Sequence, residues 1–108
     1  MYQFGEIVLL AFPFTDSTAV KKRPALVLLD TEDGDIMVAR VTTQPFSSPY
    51  EIALTDWNTA GLLAPSFTKV NKLATLEASL IERKLGKLTD ADLASVREKL
   101  KLLFENLR

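Results

Sequence analysis

The chain has no cysteine and no histidine. Those two absences rule out disulfides, thiol nucleophiles, imidazole acid–base pairs and Cys/His zinc sites. Chemistry must therefore come from arginine, lysine, carboxylates and hydroxyls. Long apolar runs are missing too, and none reaches the ~18 residues of a spanning helix. The opening MYQFGEIVLLAF has no positively charged start, and Gly5 and Glu6 interrupt its apolar stretch, which argues against a signal peptide. The expectation is a cytoplasmic protein. Hydrophobic residues at 47% and charged residues at 25% of 108 are ordinary for one globular domain spanning residues 1–108.

Net positive charge is also lacking: the balance is −1, with a pI near 5.4. Taken alone this argues against a nucleic-acid partner. The distribution changes that conclusion. Asp30, Glu32, Asp33 and Asp35 crowd one stretch without a basic residue, and setting those four aside moves the remaining balance from −1 to +3. Lys21, Lys22 and Arg23 are the only run of three cations.

Residues 6–12 (EIVLLAF) read as a strand ending at Pro13, and residues 13–22 (PFTDSTAVKK) as a surface loop. Residues 23–29 (RPALVLL) are nearly continuous apolar, as in a strand buried on both faces. Asp33-Gly34 signals a two-residue hairpin turn, with residues 36–43 (IMVARVTT) as the return strand. A short strand at 50–54, an irregular TDWNTAG segment and two or three strands between Phe67 and Leu88 follow. Thr89–Asp92 (TDAD) resembles a capping box, and Leu93, Val96, Leu100, Leu103 and Leu107 form the apolar stripe of a terminal helix. Six or seven short strands and one helix predict a mainly β fold, a small curled barrel or half-barrel.

A two-residue turn would set Arg23 opposite Gln44, Ala25 opposite Thr42 and Val27 opposite Arg40. Arg23, Arg40, Thr42 and Gln44 would then share one face. One extra turn residue would flip one strand relative to the other. Guanidinium, hydroxyl and amide together suit a phosphodiester: arginine offers a rigid fork of donors, and neutral donors add to the charge growing on phosphoryl oxygens. Phe14, Lys21 and Lys22 could hold single-stranded RNA by stacking and charge. The plain alternatives are an arginine snorkelling at a strand end, threonines present for β propensity, and a solvated acidic turn rather than a calcium loop. Trp57 reads as half-buried packing.

Residues 5–14 (GEIVLLAFPF), 23–28 (RPALVL) and 41–44 (VTTQ), in that order, resemble the MazF/PemK family of toxin endoribonucleases. The later GLLAPSFTKVNKLATLE segment and the capped C-terminal helix are similar as well. The resemblance implies an SH3-like barrel with a C-terminal α-helix, assembled as a homodimer. It implies cleavage of single-stranded RNA through the ribose 2′-hydroxyl, an antitoxin partner, and no metal or cofactor. Arg23 and Thr42 match the family's catalytic positions. Phe14, Lys21, Lys22, Arg40, Thr43, Gln44 and Lys69 are the expected RNA contacts. The chain departs from the pattern in its acidic pI and in Lys22, where a histidine often precedes the family arginine. Two other readings remain: a gyrase-inhibiting toxin of the CcdB type, which shares this barrel, and a catalytically silent partner-binding module.

Overall fold

The computed structural model describes residues 1–13, 20–45 and 48–107. Its elements are β1 (Glu6–Pro13), β2 (Val20–Asp30), β3 (Asp35–Thr42), β4 (Glu51–Ala53), β5 (Phe67–Glu77), a 3₁₀ turn (Ala78–Leu80), β6 (Ile81–Lys87) and α1 (Asp90–Glu105). The six strands form one antiparallel sheet in the order β4-β5-β3-β2-β1-β6. β4 and β6 are its two edges, so the sheet is barrel-like but not closed.

Strand alternation sends apolar side chains to both faces, and each face buries its own core. One core gathers Ile7, Leu26, Ala39, Val41 and Val70 beneath α1, which contributes Leu93 and Val96, with Trp57 half-buried against it. The other gathers Val8, Leu10, Ala25, Val27, Ile36 and Val38, covered by Leu76, Leu80 and Ile81. The helix stripe is fully buried only at Leu93 and Val96, and Leu100 packs half-buried against the same core. Leu103 is half-buried and Leu107, past the end of α1, is exposed.

Three local structures set the frame. Thr89 caps α1, its hydroxyl accepting the Asp92 N–H. Asp92 does not complete a reciprocal box. Its buried carboxylate accepts from Thr55 N (3.1 Å), Thr55 Oγ1 (2.8 Å) and Asp56 N (3.0 Å), tying the 55–61 segment to the helix start. Gly61, at φ 87°, lies against the Leu85 carbonyl, where any Cβ would collide with backbone. Glu6 is buried, paired with Lys84 and accepting from Gln3 N at 2.6 Å.

The β2–β3 hairpin departs from the expected register. Thr31 N donates to Asp35 O at 3.3 Å, and Glu32 (φ 61°) and Gly34 (φ 97°) both occupy positive φ. The turn is therefore Glu32-Asp33-Gly34, one residue longer than a two-residue Asp-Gly turn, and Asp30 pairs with Ile36. A bulge then intervenes at Leu28, between the Val27–Val38 and Leu29–Met37 pairs. Each one-residue offset alone would reverse the faces; together they cancel. Ala25 pairs with Arg40 rather than Thr42. β2 is also longer than expected, starting at Val20, so Lys21 and Lys22 are strand residues paired with Phe12 and Ala11.

Candidate phosphate-binding site on the sheet

The corrected register places the candidate residues in two adjacent cross-strand rows. Glu51, Lys69, Arg40, Ala25, Val8 and Lys84 form one row, running from β4 to β6. Two residues along, Ala53, Phe67 and Thr42 line up on one side and Leu10 and Ile81 on the other, with Arg23 paired to Leu10. Continuing the Ala25–Arg40 register by two residues sets Arg23 opposite Thr42. Arg40 becomes the diagonal neighbour of Arg23, ~7–8 Å away at the backbone.

A cleft of 410 Å³ opens here, lined by Arg23, Pro24, Ala25, Val38, Ala39, Arg40, Val41, Lys72, Leu73 and Ala74. Its walls are apolar, and among the described residues its ionisable side chains are Arg23, Arg40 and Lys72, all three exposed. Thr42 stands beside Arg23, just outside this lining. Its Oγ1 accepts the Gln44 N–H at 3.1 Å. A hydroxyl whose oxygen is occupied in this way has its own proton left to donate, which suits an anionic ligand. Thr68 Oγ1 donates to the Arg40 carbonyl at 3.1 Å and steadies the strand that carries Arg40.

The other expected contacts are dispersed. Thr43 and Gln44 are exposed and follow the end of β3, so Gln44 does not pair with Arg23. Lys69 is half-buried and paired with Glu51 at 3.7 Å. Lys22 alternates to the opposite face of β2 from Arg23 and is ion-paired with Glu82 at 2.7 Å. Lys21 shares Arg23's alternation and is exposed. Phe14 lies outside the described residues. Lys72 has no place in the sequence reading. It follows the point where β5 changes register between the Ala39–Leu73 and Arg40–Lys69 pairs, leaving Val70, Asn71 and Lys72 out of the ladder. Nothing in the residue pattern from 67 to 77 signals that slip.

Among the described residues no carboxylate lines the cleft. Asp30 accepts from Tyr2 N (2.8 Å) and Glu32 N (2.9 Å), and those N–H groups hold its carboxyl below the usual 3.8. Asp33 accepts from Thr31 Oγ1 (2.5 Å) and Asp35 N (3.2 Å), which lower it likewise. Among the described residues no group of acidic side chains is arranged to hold a metal ion.

Comparison with known proteins bears on this arrangement. The family model described as PemK-like, MazF-like toxin of type II toxin-antitoxin system matches residues 3–104. The chain belongs to that family. A comparison with curated protein sequences finds no match. Solved structures are similar along nearly the whole chain. A MazE–MazF complex from Deinococcus radiodurans is 25% identical with a TM-score of 0.77, covering 98% of this chain and 97% of that one. An endoribonuclease in complex with its cognate antitoxin from a mycobacterial species is 14% identical at a TM-score of 0.78, covering 100% and 99%. The MazF-mt6 toxin of Mycobacterium tuberculosis is 21% identical at a TM-score of 0.75, covering 93% and 96%. The fold is that of the MazF toxins. No helix among the described residues of this MazF-like toxin is long and apolar enough to cross a membrane.

Proposed function

We propose that this MazF-like toxin is an endoribonuclease that cleaves single-stranded RNA in the cytoplasm and is restrained there by a cognate antitoxin. It works as a homodimer without metal or cofactor. The observation that carries the reading is the juxtaposition of Arg23, Thr42 and Arg40 at an apolar cleft, with no carboxylate among the described residues of its lining. Membership of the toxin family and similarity to structures named as endoribonucleases and as toxin–antitoxin complexes support it.

The ribose 2′-hydroxyl attacks the adjacent phosphorus, the bond to the 5′-oxygen breaks, and the products are a 2′,3′-cyclic phosphate and a 5′-hydroxyl. Arg23 stabilises the charge building on the phosphoryl oxygens, and Thr42 donates its free hydroxyl proton to a non-bridging oxygen. An arginine with a free pKa above ~12 is a poor base, so the rate gain comes mainly from in-line positioning and preorganised charge. Single-stranded substrate is expected because base edges are open only there. Thr43, Gln44, Lys69, Lys21, Lys22 and Phe14 are the candidate outer contacts to the strand.

The test is incubation of the purified full chain with a long single-stranded RNA in EDTA, followed by analysis of the new ends. Discrete fragments with cyclic phosphate and 5′-hydroxyl ends are expected. The single-turnover log rate should show no imidazole-type bell between pH ~6 and 8, because no side chain has its unperturbed pKa there. Intact RNA, or cleavage only with an added divalent ion, overturns the proposal.

A further inference from the structure

Arg23, Arg40 and Lys72 line one cleft whose lining, among the described residues, contains no carboxylate. Three other lysines of the sheet are neutralised locally: Lys22 by Glu82, Lys69 by Glu51 and Lys84 by Glu6. Among the described residues, the three cleft cations have no ion-pair partner. Like charges gathered on one low-dielectric apolar wall repel, and a bound anion relieves that repulsion. Two guanidiniums a diagonal apart span more than one phosphate, so the cleft has charge left over once Arg23 is engaged.

We propose that Lys72 is a phosphate-binding residue, which with Arg40 grips a phosphate next to the scissile one. The inference rests on the endoribonuclease reading above and adds a second anionic subsite to it. The register slip in β5 is the structural device. An uninterrupted ladder would keep β5 against β3, whereas the slip frees Val70, Asn71 and Lys72 and opens the cleft beside them. Val70 remains anchored, fully buried, with its N–H donated to Tyr50 O at 3.0 Å. Lys72 is thus carried on a fixed backbone, with only its side chain left to adapt. The floor beneath it (Pro24, Ala25, Val38, Leu73 and Ala74) offers van der Waals contact and no side-chain acceptor, so this subsite reads charge. A lysine is a flexible point charge, suited to a phosphate whose position shifts with the base it carries. Lys72 binds substrate and transition state alike, so its loss raises KM and leaves kcat in place.

The test uses the full chain and a fluorogenic RNA with one cleavage site. Lys72→Gln should raise KM about tenfold with kcat within about twofold, and make the slope of log kcat/KM against log salt shallower by ~0.7. Lys72→Arg should restore both. Replacing each linkage in turn by a neutral methylphosphonate locates the phosphate. One linkage flanking the cut should cost the parent more than about tenfold and cost Lys72→Gln about tenfold less than that, because only the Arg40 contact is left to lose. Penalties that simply add, or a fall in kcat with KM unchanged, overturn the assignment. A chain that binds but does not cleave refutes the nuclease reading alone. The anisotropy of an uncleavable 2′-deoxy oligonucleotide still reads the subsite: weaker binding and a shallower salt slope for Lys72→Gln support it, and identical curves refute it.

Discussion

The two ends of the β2–β3 hairpin carry opposite charge and treat it differently. At the turn, Asp30 and Asp33 are each satisfied by nearby N–H and hydroxyl donors. About seven residues away along β2, Arg23 and its diagonal neighbour Arg40 have no counter-ion among the described residues. Charge consumed by its own backbone shapes a turn; charge left uncompensated beside an apolar cleft is available to a ligand. Glu6 and Asp92 belong with the turn carboxylates, since each is buried and saturated by partners in the chain. The comparison predicts a double separation. Cleft substitutions should weaken catalysis or substrate binding and spare the fold, and substitutions of the buried, saturated carboxylates should do the reverse.

The largest expected effect is on Arg23. Arg23→Ala should lower kcat by ~10³ or more, with the circular dichroism spectrum and melting temperature unchanged. Arg23→Lys should recover little, because the planar two-pronged donor is lost. Thr42→Ala removes one neutral donor and should cost ~10²–10³. Activity within a few-fold of the parent in Arg23→Ala would break the comparison at its functional end.

This end of the molecule was partly legible in the residues. The RPA and TTQ segments drew attention to Arg23 and Thr42, and alternation assigned them to one face. That assignment survives for a reason the pattern does not contain. The turn is one residue longer than Asp-Gly suggests, and the Leu28 bulge restores the parity. Bulges have no periodic signature, because the extra residue is itself an ordinary apolar one. The slip that presents Lys72 is hidden in the same way, inside β5, the first of the two strands that the run from Phe67 to Leu88 forms. The helix was the most legible element, since a 3.6-residue stripe and a threonine cap are both local. The true partners of Asp92, at Thr55 and Asp56, are tertiary and could not be read from spacing.

Smaller effects are expected at the saturated carboxylates, and on stability. Asp92→Ala leaves the Thr55 and Asp56 N–H groups without their acceptor and should cost about 2–3 kcal/mol in urea unfolding. Glu6 adds a pH dependence. Burial raises its pKa, but hydrogen bonding to Lys84 and Gln3 N and the charges of Lys84 and Lys87 outweigh burial and hold it below the ordinary 4.5. A carboxyl depressed in the folded state contributes stability that is fully present above its unfolded pKa. That contribution is lost as pH falls from the unfolded value through the folded one. Unfolding free energy should therefore drop below pH ~4.5, and Glu6→Gln should flatten part of that drop while lowering stability at pH 7. A parent-like acid limb in Glu6→Gln would show that Glu6 is not among the carboxyls responsible.

The smallest effect tests whether the two ends of the hairpin act independently. Arg23 and Asp30 are seven residues apart on one strand, roughly 23 Å at about 3.3 Å per residue. The Debye length is ~8 Å at physiological ionic strength and ~30 Å at 0.01 M. Neutralising the turn with Glu32→Gln, Asp33→Asn and Asp35→Asn should therefore leave kcat/KM for RNA within about twofold of the parent in 0.15 M salt. At 0.01 M the turn carboxylates are no longer screened from an approaching polyanion, and the triple variant should overtake the parent by a few-fold through faster association. That gain should appear in kcat/KM and not in the single-turnover rate at saturating RNA, because steering ends once the substrate is bound. A rate change at saturation, or a gain that persists in 0.15 M salt, would mean that the acidic turn touches the RNA. The turn and the cleft would then be parts of one site.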